Sequence, residues 1–514
     1  MTFAQLLSEC LENGSLGTPR YAPLAIVWLL PVLILGTACE QPVGAAGQTE
    51  PPLPPAPPGT RVGYYVAPNG SPSGDGSATR PWDLATAFAA PAAVHPGDTV
   101  WLRGGIYNGT VNSLIVSKLT GTAATPIIVR QYPGERAIIS GPWDADGAYA
   151  WYWGFESITS TTEGFQCIVV TAPGVKLINL IVHDCGGGGV FGGTQSPDAE
   201  IYGSIIYNTG FNGSIPGVSF GHGIYVQNQT GTKRIKDNVL FNQYGYGFHG
   251  YGASAPLNNF TLDGNAIFNS GLLQGRGQPN ILIGGGTPVT NAVLTNNMTY
   301  RGLGIWVGYS GTQSSNVTIT NNYLMLAWPV LRVYNFNQAV VAGNTLYSLG
   351  GSGSMVDEQG PTAGYQWNSN RYHGDSSVAE WVWTANGYTF PQWRQATGLG
   401  TSETETPAPT GSRVFVRPNQ YEPGRANIII YNWARAATVP VDVSSILSSG
   451  DRYEVRNVQD LFGPAVLSGT YAGGTLSIPM TAVQPPTPIW GWGSVTPPIT
   501  GPDFNTFFLL RTAP

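Results

Sequence analysis

Charge is what this 514-residue chain has least of: Lys, Arg, Asp and Glu together make up 10% of it, against about 25% in an ordinary soluble domain. Only four of the cations are Lys, no Lys/Arg block occurs, and the formal net charge is −6. That balance argues against nucleic acid or an anionic membrane surface as the main partner. Histidine is scarce at 5 residues and cysteine at 4. No Cys/His group has zinc-site spacing, so the sequence proposes no metal ligands and identifies no cofactor. Glycine (69) and proline (41) are abundant, but there is no Gly-X-Y period and 42% of residues are hydrophobic. Collagen and wholesale disorder are therefore excluded, and there is material for a large core. The composition suggests an extracellular β protein, long enough for two or more domains.

Long apolar runs are also missing. Leu24 to Leu35 is the nearest, but it is short for a membrane span and Pro31 interrupts it. It reads as a signal-peptide core ending in Leu35-Gly36-Thr37-Ala38-Cys39, which resembles a bacterial lipobox with Cys39 as the lipidated residue. Plain secretion and an uncleaved anchor are the alternatives. Residues 1–39 are thus expected to be a leader and 40–60 a Pro-rich spacer (Pro51-Pro52-Leu53-Pro54-Pro55). The protein is expected to be secreted or on the outer cell surface, to meet the membrane only through a lipid, and to be a monomer. Cys167 and Cys185 then remain, either as a disulfide or as two small buried hydrophobes.

A short phrase returns through the middle of the chain: Asn179-Leu180-Ile181-Val182, Ser204-Ile205-Ile206-Tyr207, Asn238-Val239-Leu240-Phe241, Asn265-Ala266-Ile267-Phe268, Asn297-Met298-Thr299-Tyr300, Asn322-Tyr323-Leu324-Met325 and Asn344-Thr345-Leu346-Tyr347. The steps run from 22 to 34 residues. A unit this small cannot bury its own apolar face, so it must stack on its neighbours as a coil of a parallel β-solenoid. Asn at one turn suits that, since its amide can bond the backbone and its equivalent in the next rung. A propeller would need longer blades with a different signature.

Three segments resemble the right-handed parallel β-helix proteins of the pectate-lyase-like superfamily: Tyr64-Tyr65-Val66-Ala67-Pro68-Asn69-Gly70, Arg80-Pro81-Trp82 with a helix over 83–90, and Pro96-Gly97-Asp98-Thr99-Val100-Trp101 onward. The likeness covers about residues 63 to 373. It implies an all-β fold with an N-terminal capping helix, and a polysaccharide as partner. The β-helix domain is expected over 61–400. From about Arg413 the alternation and turns predict a small antiparallel β-sandwich, 411–514, similar in shape to accessory modules of carbohydrate-active proteins. The aromatics between, such as Trp381, Trp383 and Trp393, are expected to pack the last coil.

Period-two alternation assigns faces. If Ile224 and Val226 point inward, the outward column reads Phe191, Tyr225, His249, Leu282, Trp306 and Arg332. Two residues on, it reads Gln227, Tyr251, Gly284, Gly308, Tyr334 and Asp357. Aromatics in line can stack sugar rings, unless another part of the chain covers them. The longest insertions, Thr209 to Phe220 and Ser270 to Pro279, should rise beside one edge of this stripe, bringing Arg276. Gly221-His222-Gly223 and Arg234-Ile235-Lys236 resemble polygalacturonase motifs, but the paired Asp that should precede them is missing. His222 is either catalytic or a turn residue opposite Tyr246. His183 is expected in the slot that Asn208, Asn242 and Asn269 fill later. The run Gly186 to Gly189 beside Asp184 is either a close approach for a ligand or a tight bend.

Two chemistries compete. β-Elimination from a uronate needs a base and a cation or Ca2+ at the carboxylate, and no acidic cluster proposes a calcium site. Hydrolysis needs two nearby carboxylates. The expected catalytic residues are His249, His222, Arg332 and Asp184, and the expected sugar contacts are Tyr225, Trp306, Tyr251, Tyr334 and Arg276. The first expectation is a carbohydrate-active lyase or hydrolase. The second is a non-catalytic glycan-binding or adhesive surface protein using the same stripe.

Overall fold

The computed structural model describes residues 63–109, 114–159, 166–210, 221–309, 311–348, 353–489 and 496–512, all within one compact unit, Thr49–Pro514. The leader with Cys39, the spacer, and residues 211–220 of the first insertion lie outside the described residues.

Each rung is three short strands, as in Lys176–Ile178, Ile181–His183 and Gly188–Gly192. The next rung lays Glu200–Tyr202, Ile205–Tyr207 and His222–Val226 parallel on them, in register. Repetition builds, among the described residues, three sheets of 12 strands each, a parallel β-helix. The first sheet begins at Gly63–Val66, the second at Gly105–Asn108 and the third at Ile115–Ser117. Inward side chains stack by type: Val190, Ile224, Phe248, Ile281, Ile305 and Leu331 follow one another along the third sheet and are all buried.

Both ends are closed against unpaired edges. Helix Leu84–Phe88 covers the first rung, shorter than the expected 83–90, and the Asp83 carboxylate accepts from the Thr86 backbone N–H at 2.7 Å. Helix Phe390–Thr397 covers the last, where Phe390 and Trp393 pack on Trp381. The disulfide Cys167–Cys185 (Cα–Cα 5.4 Å) ties a third-sheet strand to the turn of the next rung.

The repeated Asn forms a buried ladder in the turn from the first sheet to the second. Asn265 Oδ1 accepts from both the backbone N–H (3.1 Å) and the side-chain amide (3.0 Å) of Asn238, and Asn265 gives the same two bonds to Asn297 (3.2 and 2.9 Å). The pattern runs on through Asn322 and Asn344 to Asn370, and ends on the Glu403 carboxylate. The residue before each rung Asn turns left-handed (Asp237 φ 54°, Gly264 φ 71°, Asn296 φ 55°). The first phrase is offset by one. Ile181 pairs with Ile205, so Leu180, not Asn179, precedes Ser204 in the row, and Asn179 holds the left-handed slot (φ 54°). The same shift moves His183 opposite Tyr207, and puts Asp184 in the row of Asn208, Asn242 and Asn269.

The C-terminal module has a five-stranded antiparallel sheet (Ser412–Pro418, Arg425–Asn432, Phe504–Thr512, Arg452–Asn457, Leu467–Thr470) and a two-stranded one. One face of the larger sheet buries Ile428, Ile430, Val455 and Phe507 within the module. The other packs Tyr431, Phe504 and Phe508 on the outer face of the second sheet, over Tyr207, Phe241, Phe268 and Tyr300. Arg417–Asp237 (2.7 Å) and Arg130–Glu422 (2.9 Å) flank that contact. The module's apolar contacts with the β-helix thus fall on the second sheet and, through Tyr421 against Trp153 and Tyr202, on the first.

Replacing Asn297 by Ala leaves the buried donors of Asn265 unpaired, at about 1–3 kcal/mol per group. Thermal unfolding should show a clear loss for Asn297→Ala, and within about 0.5 kcal/mol of no change for Gln338→Ala at an exposed position. Ending the chain at residue 410 strips the second-sheet aromatics. Size-exclusion chromatography should find that fragment aggregated rather than monomeric.

Candidate functional site

The register of the third sheet gives the outward column directly: Asp144, Val169, Phe191, Tyr225, His249, Leu282, Trp306, Arg332 and Asp357. Asp357 pairs with Arg332, and Gln359 with Tyr334, so Asp357 belongs to this column and not to the second one where it was expected. Leu282 is buried and separates two polar ends.

At one end, His249 lies in a box of rings: Tyr246 stacked at 4.2 Å between centroids, His222 at 4.7 Å, Tyr251 at 5.0 Å and Tyr225 at 5.4 Å. His222 opens the strand His222–Val226 rather than sitting in a turn, and faces Tyr246 at 5.3 Å. Both imidazoles are more than nine-tenths buried. Neither nitrogen of His249 and not Nδ1 of His222 has a hydrogen-bond partner. Burial pushes the His222 pKa down to about 3. Burial, with His222 beside it, pushes His249 well below 6.5. Both rings are neutral near pH 7. Tyr246 is pushed up to about 12 by burial, although the Arg276 charge works the other way, so Arg276, in the second insertion, stands near this corner. Tyr246 was not among the expected site residues.

At the other end, Asp357 Oδ2 accepts from Arg332 Nε (2.9 Å) and Nη2 (2.7 Å) and from the Tyr334 hydroxyl (2.8 Å). The Arg332 guanidinium lies 3.7 Å over the Trp306 ring. Asp357 Oδ1 is buried without a partner. Glu358 points inward behind it, and burial with Asp357 beside it raises its pKa to about 8.

Asp184 is not on the stripe. At the corner between second and third sheets its Oδ2 meets His183 Nδ1 (2.7 Å) and its Oδ1 accepts from the Ile489 backbone N–H (2.8 Å). His183 Nε2 meets Glu156 (2.9 Å), which pairs with Arg136, itself over Phe462 of the module. The group is a lock between β-helix and module, not a member of the groove. Burial alone would lower His183, but its bonds to Asp184 and Glu156 outweigh it and raise the pKa to about 9. The glycine run is a packing device: a Cβ on Gly189 would lie 2.6 Å from Gly223 O. The Arg-Ile-Lys triplet faces elsewhere, on the first sheet, where Arg234 pairs with Asp198 and Lys236 with Asp263. Lys233 turns inward, and its ammonium is spent on Gly193 and Ser196.

A calcium ion needs several carboxylate or carbonyl oxygens around one point. Among the described residues no three His, Cys, Asp or Glu side chains form such a group, and the one stripe carboxylate near the Arg332 end is taken by Arg332 and Tyr334. Among the described residues the arrangement offers no such ligand set.

The family described as Pel9A-like, right-handed β-helix region matches residues 64–274. Pectate lyase PEL9 of Emericella nidulans is 39% identical over 77 residues, 15% of this chain and 18% of its own length. Pectate lyase L of Dickeya chrysanthemi is 29% identical over 165 residues, 29% of this chain and 36% of its own length. The chain therefore spans well under half of these relatives. The crystal structure of pectate lyase Pel9A aligns at TM-score 0.39 and 19% identity, over 60% of this chain and 80% of that one.

The His183 lock carries a pH signature. A raised His stabilises fully below its unfolded value, 6.5, and loses that contribution as pH rises through about 9. Glu156, lowered by His183 and Arg136 against its own burial, stabilises above 4.5 and loses it as pH falls. His183→Gln should therefore lower the melting temperature most near pH 6, by an amount matching about 3–5 kcal/mol for a broken buried pair. The gap to the parent should close above pH 9.

Proposed function

We propose that this chain, a right-handed parallel β-helix protein of the pectate-lyase-like superfamily over residues 64–274, cleaves a polysaccharide by β-elimination along the outward column of its third sheet. The observation that carries the reading is His249: a buried imidazole held neutral, with both nitrogens unpartnered. Leaving such groups unpaired costs about 1–3 kcal/mol each, a cost that a purely structural aromatic would avoid and that points to a ligand.

Elimination from a uronate begins at the carbon beside the carboxylate. His249 takes that proton, and the C–H electrons become the C4–C5 double bond. The bond from C4 to the bridging oxygen breaks, and that oxygen gains a proton. Tyr246, kept protonated by burial and stacked on His249, is the donor within the box, with Tyr225 across the ring. Arg276 stabilises the charge that builds on the carboxylate. Tyr251 holds the sugar beside the box.

Hydrolysis at the His249 box is disfavoured by spacing, since the neighbouring carboxylates Asp144 and Asp146 lie rungs away from it. It requires two carboxylates about 5–9.5 Å apart. On this column Asp144 is four rungs to one side of His249 and Asp357 four to the other, each about 19 Å away at 4.8 Å per rung. The names of the two relatives, both pectate lyases, agree with elimination. A polymer substrate and the disulfide favour action outside the cytoplasm, with the protein held by a lipid on Cys39.

The test is a polysaccharide panel that follows unsaturated uronate and reducing ends together. His249→Ala and His249→Gln should each lower kcat/KM by about 10²–10⁴-fold while glycan binding persists. The acid limb of kcat/KM should fall below pH 6.5, because burial keeps His249 deprotonated there. Retention on glycan without product would favour the binding protein instead, and an acid limb above 6.5 would remove His249 as the base.

A further inference from the structure

The two ends of the stripe differ in charge. Around His249 there are neutral imidazoles and tyrosines with the Arg276 cation nearby, which suits an anionic sugar. Three rungs on, about 14 Å by the strand spacing, the cation Arg332 already carries its own carboxylate. Asp357 Oδ2 takes two of its N–H donors and the Tyr334 hydroxyl as well. A guanidinium matched in this way has little field left for a second carboxylate, and Asp357 itself repels one.

What remains at that end is uncharged recognition. The guanidinium spread over Trp306 at 3.7 Å makes a flat floor for the C–H face of a sugar. The remaining Arg332 N–H groups are donors, and the Tyr334 hydroxyl is fixed by Asp357. Asp357 Oδ1, buried and without a partner, is an acceptor waiting for a hydroxyl proton. Donors and an acceptor beside an apolar floor match the mixed donor and acceptor rim of a neutral sugar. The carboxylate of a uronate would present acceptors only.

Resting on the elimination reading above, we propose that Trp306, Arg332, Tyr334 and Asp357 form a subsite for an uncharged sugar, so that the groove selects a polysaccharide mixing uronate with neutral residues over a homopolymer of uronate. Asp357 is the residue that sets this preference. With Asn in its place the Arg332 charge is uncompensated, and the subsite turns toward uronate.

The experiment compares the full chain and Asp357→Asn on two polymers, a homopolyuronate and one alternating uronate with a neutral sugar, and measures kcat and KM from unsaturated product. The native protein should show the lower KM on the alternating polymer. Asp357→Asn should raise that KM and lower the one for homopolyuronate, each by about tenfold, the size of one charge-assisted hydrogen bond, with kcat little changed. The added double variant Asp357→Asn/Arg332→Gln should lose the gain on homopolyuronate, because the free charge is gone. Tyr334→Phe, which leaves the ion pair in place, should raise KM on the alternating polymer alone. A native enzyme that cuts homopolyuronate at equal or lower KM, with a ratio that Asp357→Asn does not move, overturns the subsite and leaves elimination standing. No unsaturated product from either polymer removes both.

Discussion

Asn265 receives two hydrogen bonds from Asn238 and gives two to Asn297, and this exchange, repeated rung after rung, fixes how one coil sits on the next. Because the ladder is buried, a slip of one residue would leave both amides and backbone donors unpaired, which is costly in a low-dielectric interior. Register so held decides which side chains share a column on the third sheet. His249 follows Tyr225 and Arg332 meets Asp357 for that reason. The groove's chemistry is a consequence of a turn on the other side of the coil.

The outward column was legible from alternation alone because parallel strands in register keep every inward residue over its equivalent. Counting failed where the local turn changed. Asn179 looks like a ladder Asn but holds the left-handed slot before it, since Asn suits both roles. That one-residue offset displaced His183 and Asp184 as well. Asp357 was set one column too far: the register pairs it with Arg332 and gives Tyr334 to Gln359.

The covering of aromatics was illegible for another reason. Tyr207, Phe241 and Phe268 on the second sheet and Phe191 and Tyr225 on the third read alike, as outward aromatics one rung apart. Only tertiary packing separates them, the first set lying under Tyr431 and Phe504 of the module and the second staying on the stripe, where Phe191 meets Tyr225 and Tyr225 meets His249. Unpartnered nitrogens are likewise a property of the folded surroundings. Nothing in Gly-Phe-His-Gly announces that His249 will be buried without a hydrogen bond. Lys233 shows the opposite outcome, a buried cation whose ammonium is fully engaged by Gly193 and Ser196 and whose role is to hold a turn.

The claim that substrate runs along the third sheet, over the His249 box and the Trp306 floor, can be tested most directly by hydroxyl-radical footprinting of the full chain with and without a bound uronate-containing oligosaccharide. The account predicts protection of Tyr225, Tyr251 and Trp306 on binding, with the module's exposed Phe462 unchanged. Protection confined to the C-terminal module, with the third-sheet aromatics equally reactive in both states, would contradict it.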